Sequence, residues 1–179
     1  MNLYFRLLIA IVRAFLAPKL KYGEAVELEL RVMPTDLDPN MHMTNARYLS
    51  MVDLALITMF IRSGYGRLLV RNKWKPMGGG SVIYFRRGLN PFQRFTLRFS
   101  PVGWDEFWNY FRFEFIRGGE LCAVGFVKGA ATGPSGLVRN ADVYPVLGVH
   151  QPSPAFPADL QAWIAADRQL GEHVKRAAP

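Results

Sequence analysis

The sequence is poor in cysteine, in histidine and in long apolar runs, and each shortage excludes a class of protein. Cys122 is the single cysteine, so the chain cannot form an internal disulfide, and this usage favours a reducing, cytoplasmic compartment. His42, His150 and His173 are too dispersed along the chain to suggest a metal site. The apolar run at residues 7–12 is only six residues long, whereas a helix that crosses a bilayer needs about 20. We therefore expect no metal or other cofactor and no membrane-spanning segment.

Acidic residues are missing between residues 54 and 104, although nine of the 22 Lys and Arg residues lie there in a chain of net charge +8. The nine are Arg62, Arg67, Arg71, Lys73, Lys75, Arg86, Arg87, Arg94 and Arg98. Such a stretch should attract a phosphate-bearing carrier, and we take Arg86 and Arg87 as candidates for binding it. The alternative is a solvated strand face. No nucleic-acid-binding motif accompanies the charge, so nucleic acid is the poorer partner.

The first seventeen residues combine an apolar segment with two arginines, Arg6 and Arg13. Helical spacing places four apolar residues near one another: Leu3, Leu7, Ile11 and Ala14. We therefore predict an N-terminal amphipathic helix and lead-in over residues 1–24. It either docks on the rest of the domain or lies on a membrane surface through residues 1–17.

Periodicity predicts one strand followed by one long buried helix. Apolar and charged residues alternate from 26 to 32, as in a strand with one buried face. Residues 45–63 are apolar around nearly the whole circumference of a helix, so this helix belongs in the middle of the fold. Gly64 and Gly66 supply its stop.

The rest of the chain predicts more strands and a terminal helix. We read strands at 82–87, 94–102, 107–117 and 121–131, with a tight hairpin at Gly118-Gly119. A proline-rich surface segment then leads to a short helix at 157–170. At 179 residues and 50% apolar, the chain can bury one substantial core. We place the main domain at 25–135 and the proline-rich segment with its C-terminal helix at 136–179.

The loop between the first strand and the long helix is the candidate active site. Asp38 lies where the strand becomes a loop, and Thr44 is placed to cap the helix with its hydroxyl. The first free N–H groups of that helix could bind an oxyanion. On an extended loop, Asp38, Asn40 and His42 would project to the same side and converge on one pocket. The alternative is that Asp38 and Asn40 form Asx-type turns and that His42 caps backbone groups.

The residues of this loop resemble the hotdog-fold thioesterases. Matching positions are Asp36, Asp38, His42, Asn45, Ala46, Arg47 and Tyr48, while Thr44 stands where the family more often has Asn. The alternation of Asp38, Asn40 and His42 is also similar to the catalytic loop of acyl-ACP thioesterases. Three later blocks look like the branch called thioesterase superfamily member 6: residues 103–105, 122–123 and 157–164. Together the matching blocks extend over most of residues 25–170.

The resemblance implies an α+β fold in which one long central helix is wrapped by a curved antiparallel sheet. It also implies a thioester hydrolase of fatty acid metabolism that acts on an acyl-CoA or an acyl carrier protein. Asp38 would serve as general base or nucleophile, with Asn40 and His42 assisting and the helix start at Asn45 as the oxyanion hole. Coenzyme A would then be part of the substrate, not a cofactor. We take Thr44 and Tyr48 as further candidates for substrate binding and expect at least a homodimer.

Two other functions fit parts of the same pattern. Hotdog hydratases of enoyl thioesters carry an Asp and a His in a related loop, but here three residues separate Asp38 from His42 instead of four, and no Pro follows Asn40. A protein that binds an acyl chain or acyl thioester without turning it over would also use an apolar pocket. An Asp38 variant separates binding from catalysis.

Overall fold

A computed structural model describes residues 3–177 and shows a six-stranded sheet with five helices. Residues 1, 2, 178 and 179 of the predicted terminal segments lie outside the described residues. The helices are α1 (Leu3–Leu16), α2 (Asn45–Ser63), α3 (Tyr65–Arg71), α4 (Asn140–Val143) and α5 (Ala158–Ala177). The strands are β1 (Val26–Arg31), β2 (Lys75–Phe85), β3 (Arg94–Trp104), β4 (Asn109–Arg117), β5 (Glu120–Gly133) and β6 (Gly136–Leu137).

The sheet is antiparallel in every strand pair and curls around α2. Its order is β1-β3-β4-β5-β2, with β6 paired to β5. Alternate residues of the strands, such as Phe113 and Phe115 on β4, are fully buried in one core with Met51 and Ala55 of α2. The predicted arrangement of a central helix wrapped by a curved sheet is therefore confirmed.

The long helix α2 has the predicted bounds and ends for the predicted reason. Gly64 follows its last residue with a φ of 81°, a left-handed conformation that glycine adopts without a steric penalty. The chain does not leave helical structure there, because α3 begins at Tyr65 and Gly66 lies inside it. This second, short helix was not predicted.

The bounds of β2 differ most from the prediction. The sequence pattern indicated a strand at 82–87, whereas β2 begins seven residues earlier at Lys75 and ends at Phe85. The first half of β2 was not predicted, because it contains Pro76 and the glycines at 78–80 and neither residue type favours a strand. Pairing with β5 holds that half in the sheet, with a register shift between Gly78 and Gly80. Tertiary pairing here overrides local propensity.

The outer face of the sheet is covered by α5. Leu160 of this helix is fully buried, and Trp163 stacks parallel to Phe126 of β5 with ring centroids 6.2 Å apart. Lys128 forms an ion pair with Asp167 beneath the same helix. The helix runs to Ala177, beyond the predicted end at residue 170, and the proline-rich segment before it contains α4 and a 3-10 turn at Pro145–Leu147.

The N-terminal helix α1 packs against α2, which is one of the two arrangements predicted for it. Its buried side carries Arg6, Ala10 and Ala14. Its other side exposes large apolar residues: Tyr4, Phe5, Leu8, Val12, Phe15 and Leu16. Among residues 3–177, no helix is both long and apolar enough to cross a bilayer.

Candidate active site

The loop after β1 is a tight turn built around the Asp38 carboxylate. Oδ1 of Asp38 accepts the backbone N–H groups of Asn40, at 2.9 Å, and His42, at 3.1 Å. The backbone N–H of Asp38 donates to the carbonyl of His42 at 2.9 Å, and Met41 has a φ of 60°. The prediction of an extended loop is therefore wrong, because these bonds fold the chain back on itself. The alternative of an Asx-type turn at Asp38 is confirmed.

The side chains of Asn40 and His42 are exposed on this turn. The His42 ring lies against Gly88, where an added Cβ would come within 2.6 Å of its Cδ2. No hydrogen bond joins the side chains of Asp38, Asn40 and His42 to one another in the described part of the chain. In this chain the loop thus brings their backbones together, while the side chains remain open to solvent.

The start of α2 is not capped by a side chain. Thr44 occupies the predicted N-cap position, but its hydroxyl makes no hydrogen bond to the helix. The N–H of Arg47 donates instead to the backbone carbonyl of Thr44 at 2.8 Å, so the predicted role of the hydroxyl is taken by the main chain. For residues 3–177, no acceptor is found for the N–H groups of Asn45 and Ala46. Two donors at the positive end of the α2 dipole are therefore free.

Asp36 is a buried structural anchor beneath the loop. Its Oδ2 accepts Arg6 Nη2 at 2.7 Å and the backbone N–H of Met33 at 2.8 Å, and Arg47 Nε lies 3.7 Å from Oδ1. The side chains of Arg6 and Asp36 are each 3% exposed. The sequence analysis did not identify the pairing of Arg6 with Asp36. The sequence shows Arg6 and Arg13 as the two charged residues of an otherwise apolar helix, and nothing in their spacing shows which of them is buried.

Tyr48 lies in the core of the chain. It is 1% exposed, and its ring makes edge contacts with Phe85 at 5.0 Å and Phe115 at 4.8 Å. Burial raises the pKa of its hydroxyl, and a hydrogen bond with the backbone of Leu89 opposes that shift. The structure gives Tyr48 a packing role, and its contact with substrate stays a prediction.

Arg86 and Arg87 follow β2 and lie near the loop, because Gly88 contacts His42 and the carbonyl of Leu89 accepts the Met43 N–H at 2.8 Å. The Arg87 guanidinium pairs with Glu120 at 2.9 Å. Arg86 is exposed and has no ion pair within the described residues. Arg86 is therefore the freer of the two cations to meet an anionic ligand.

A cavity of about 460 Å³ lies between α2 and the sheet. Leu56, Ile57 and Phe60 of α2 form one wall, and Phe111 and Val127 of the sheet face them. None of residues 36–45 lines it. The cavity was not predicted, because its shape depends on how distant elements pack.

Asp53 of α2 also lines this cavity, and the sequence analysis missed it. Partial desolvation by the apolar wall raises the pKa of its carboxyl, although Asp53 is exposed to solvent. The sequence offered one indication of this residue, because Asp53 is the only acidic residue in the segment 45–63.

Residues 32–164 match the family model described as thioesterase-like superfamily. The chain belongs to the thioesterase-like superfamily. It is 29% identical to Protein THEM6 of Xenopus laevis over 137 residues, or 74% of this chain. It is 30% identical to Protein THEM6 of Drosophila melanogaster over 129 residues, or 70% of this chain. It spans 64% of the length of each of these two relatives.

Solved hotdog structures share the fold of this superfamily member. A 1,4-dihydroxy-2-naphthoyl-CoA thioesterase from Synechocystis superposes with a TM-score of 0.61 at 11% identity, covering 69% of this chain and 95% of that one. A Staphylococcus aureus protein solved in complex with CoA gives a TM-score of 0.63 at 13% identity, covering 79% of this chain and 95% of that one. The predicted hotdog fold is thus confirmed.

Proposed function

We propose that this protein hydrolyses an acyl thioester, of coenzyme A or of an acyl carrier protein, to a carboxylic acid and a thiol. The observation that carries the proposal is the loop between β1 and α2, where the Asp38 carboxylate anchors a turn near one end and the N–H groups of Asn45 and Ala46 at the other end have no acceptor within residues 3–177. One end offers a base or nucleophile and the other offers donors to an oxyanion. Membership of the thioesterase-like superfamily supports this pairing as the reacting centre.

The two carboxylate oxygens of Asp38 have different roles. Oδ1 is anchored by the N–H groups of Asn40 and His42, whereas Oδ2 has no partner within residues 3–177. Oδ2 can take a proton from water as the water oxygen attacks the thioester carbon, or it can attack that carbon itself and form an anhydride that water then cleaves. In either route the C–S bond breaks and its electron pair stays on the sulfur. The thiolate then takes the proton that Asp38 received from the attacking water or, in the anhydride route, a proton from solvent water. Asn40 and His42 orient the water and share the proton transfer.

The N–H groups of Asn45 and Ala46 stabilise the negative charge on the carbonyl oxygen. Each preset donor of this kind is worth about 3 kcal/mol in the transition state. The partial positive charge of the α2 N-terminus acts in the same direction. A side-chain cap on the helix would compete for these donors, and Thr44 supplies none.

The carrier is recognised by its phosphates. Arg86 lies near the loop with no ion pair in the described part of the chain, and Arg87 adds a second cation that is shared with Glu120. The Staphylococcus aureus neighbour solved with CoA supports a carrier of that type. Thr44, which is partly exposed beside the free N–H groups, is placed to contact the same ligand.

Thiol release tests the proposal directly. We expect the protein to liberate CoA from members of a panel of short to long acyl-CoAs, at a rate that depends on acyl length, followed with a thiol-reactive dye. If thiol is released neither from these acyl-CoAs nor from acyl carrier protein thioesters, while the same compounds still bind, the result would favour an acyl-binding protein without turnover.

We propose further that two copies of the chain pair along β2. This strand is one of the two edges of the sheet and exposes several apolar side chains: Met77, Val82, Tyr84 and Phe85. An uncovered apolar edge strand tends to pair with another chain. Antiparallel pairing about a two-fold axis would place the Phe85 end of one strand beside the Lys75 end of its partner.

The dimer is tested by placing a charge on this edge. Tyr84, 68% exposed, is changed to Glu, and Val146, 63% exposed and outside the sheet, is changed to Glu as the control. We expect light scattering to give a dimer for the wild type and Val146→Glu, and at least a tenfold weaker dimer for Tyr84→Glu, because two like charges would be buried together. A monomeric wild type would contradict the pairing.

The exposed face of α1 is proposed to contact a membrane surface. Phe5, Leu8, Val12 and Phe15 form an uncovered apolar stripe, and Arg13 adds a positive charge suited to anionic lipid. We expect the protein to sediment with anionic vesicles and Phe15→Glu to sediment at least tenfold less, while Val146→Glu behaves as the wild type. Equal sedimentation of all three would exclude this face. The cytoplasmic location stays a prediction.

A further inference from the structure

Four cations and one apolar side chain form an exposed surface where α3 leads into β2. They are Arg67, Val70, Arg71, Lys73 and Lys75, all of which are exposed, and we call them the α3 surface. Arg67, Val70 and Arg71 are three and four residues apart, so they share one face of the helix. Val70 is 80% exposed, which is high for an apolar residue surrounded by charged neighbours in the chain.

The positive charge of the α3 surface is not neutralised within the fold. None of its four cations forms an ion pair within residues 3–177. Arginines on the sheet differ, because Arg98 pairs with Glu27 at 2.7 Å and Arg112 pairs with Glu114 at 3.2 Å. No acidic residue lies between residues 54 and 104. The α3 surface is therefore a concentration of free positive charge that attracts an anionic partner.

Two features of the α3 surface oppose local structural preferences. Arg67 and Arg71 are like charges four residues apart on a helix, which is destabilising. Lys73 has a φ of 56°, in the left-handed region that favours glycine at the end of a helix. The helix dipole favours a cation in the last turn, as at Arg71, but it does not act on Lys75, which begins β2. Residues that break local rules without a structural gain indicate a binding role.

An acidic protein fits the α3 surface better than a free nucleotide or a membrane does. None of the five residues lines the cavity between α2 and the sheet, whereas nucleotides bind in concave sites. A protein can place several carboxylates against spread cations and an apolar side chain against Val70. A single valine is too little apolar surface for a helix that binds a membrane.

We propose that the α3 surface docks the acidic body of an acyl carrier protein, so that the preferred substrate is a protein-bound acyl group. This inference rests on the proposed thioesterase function and on the proposed pairing along β2. Coenzyme A and an acyl carrier protein can each offer a phosphate to Arg86. Only the protein has further carboxylates for the α3 surface.

The proposed dimer brings the α3 surface to a reacting centre. Within one protomer the surface follows the end of α2 opposite to Asn45, about 27 Å away along the helix axis. Pairing along β2 places the Lys75 end of one strand beside the Phe85 end of the other, and Arg86 directly follows Phe85. A carrier docked on one protomer therefore lies beside Arg86 of the other protomer and serves the reacting centre of that chain.

Binding of the carrier tests this inference without requiring hydrolysis. The probe is a fluorescently labelled acyl carrier protein that bears its phosphopantetheine arm but no acyl group, and fluorescence anisotropy follows its binding. The proteins are wild type, Lys73→Glu, Lys73→Gly and Arg94→Glu. Arg94 is the matched control, because it is an exposed cation of β3 with no ion pair in the described part of the chain. Thermal melting shows that each variant is folded.

We expect the wild type and Arg94→Glu to bind the carrier with similar affinity. Lys73→Glu should bind it about tenfold more weakly, because a cation that faces the carrier becomes an anion. Lys73→Gly should also bind more weakly but melt no lower than the wild type, because glycine adopts the left-handed conformation without strain. No binding by the wild type, or equal affinities for all four proteins, would overturn the proposal.

Hydrolysis of matched thioesters separates protein-bound from CoA-bound substrates. Lys73→Glu should lower kcat/KM about tenfold for an acyl carrier protein thioester and leave it within about twofold for the acyl-CoA with the same acyl group. Equal losses for both thioesters would assign Lys73 to a phosphate of the carrier and overturn docking of the protein. Sedimentation with anionic vesicles that is lost in Lys73→Glu, with carrier binding unchanged, would assign the surface to lipid and also overturn it.

The same measurements separate this inference from the proposed function. Carrier binding that depends on Lys73, with no hydrolysis of either thioester, would leave the docking surface standing and reject the thioesterase. Hydrolysis of acyl-CoA by a wild type that does not bind the carrier would support the thioesterase and reject the docking surface.

Discussion

Replacing Asp38 with Asn should lower the turnover of acyl-CoA by about 10²- to 10⁴-fold, the usual contribution of a general base. The amide oxygen of Asn can still accept the N–H groups of Asn40 and His42, so the turn should keep its shape. The variant loses the basic Oδ2, because the amide nitrogen of Asn takes its place. Thiol release measures the rate, and calorimetry with a ketone analogue of the acyl-CoA should show binding within a few-fold of the wild type.

Two further variants make this result specific to the carboxylate. Asp142→Asn, at an exposed position of α4, should turn over at the wild-type rate. Asp38→Ala removes the acceptor as well as the base, so it should lose both turnover and thermal stability, because two N–H groups lose their partner. Turnover by Asp38→Asn within a few-fold of the wild type would show that Asp38 is neither the base nor the nucleophile.

Replacing Arg6 with Leu should lower the free energy of unfolding by about 3 kcal/mol, at the lower end of the range for breaking a buried ion pair. Arg6 and Asp36 are joined at 2.7 Å and are almost inaccessible to water, so the variant leaves Asp36 charged and buried. Arg47, 3.7 Å away, compensates in part. Urea denaturation measures the loss, and the melting temperature should fall by about 6 to 12 °C.

A control on the same helix separates the ion pair from the helix itself. Arg13 is exposed, and Arg13→Leu should change the free energy of unfolding by less than about 0.5 kcal/mol. Adding Asp36→Asn to Arg6→Leu removes the lone charge and should restore part of the stability. Equal stabilities for Arg6→Leu and Arg13→Leu would mean that the buried pair contributes nothing net.

The Arg6–Asp36 pair also links the N-terminal helix to the candidate active site. The carbonyl of Asp36 accepts the N–H of Thr44 at 2.9 Å, directly before the free N–H groups of α2. Movement of Asp36 would therefore displace the N–H groups of Asn45 and Ala46 relative to Asp38. We expect Arg6→Leu to lower turnover beyond what its unfolded fraction explains.

Sequence patterns with a strong local cause were interpreted correctly. The apolar circumference of α2 required a buried helix, and Gly64 ended it because glycine adopts the left-handed conformation. The alternation at 26–32 and the Gly118-Gly119 turn likewise predicted a strand and a hairpin, both of which are present. Each of these features depends on residues close together in the chain.

Features that depend on residues far apart in the chain could not be predicted from the sequence. The first half of β2 is a strand because β5 pairs with it, against the local preference of Pro76 and three glycines. Asp38 anchors a tight turn, because its carboxylate accepts the N–H groups of Asn40 and His42. In an extended loop the carboxylate would not accept both of these groups.

The sequence by itself determined the central helix, because a buried helix follows from residue type and short-range spacing, and its resemblance to hotdog thioesterases indicated the superfamily and the candidate base. Only the tertiary structure decided that Arg6 pairs with Asp36 across 30 residues and that residues of α2 and of the sheet line one cavity. Burial and pairing arise when separate elements pack, and the free energy of a charge depends on what surrounds it in space. The residues that neighbour a position in the sequence do not show which distant residues will surround it in the fold.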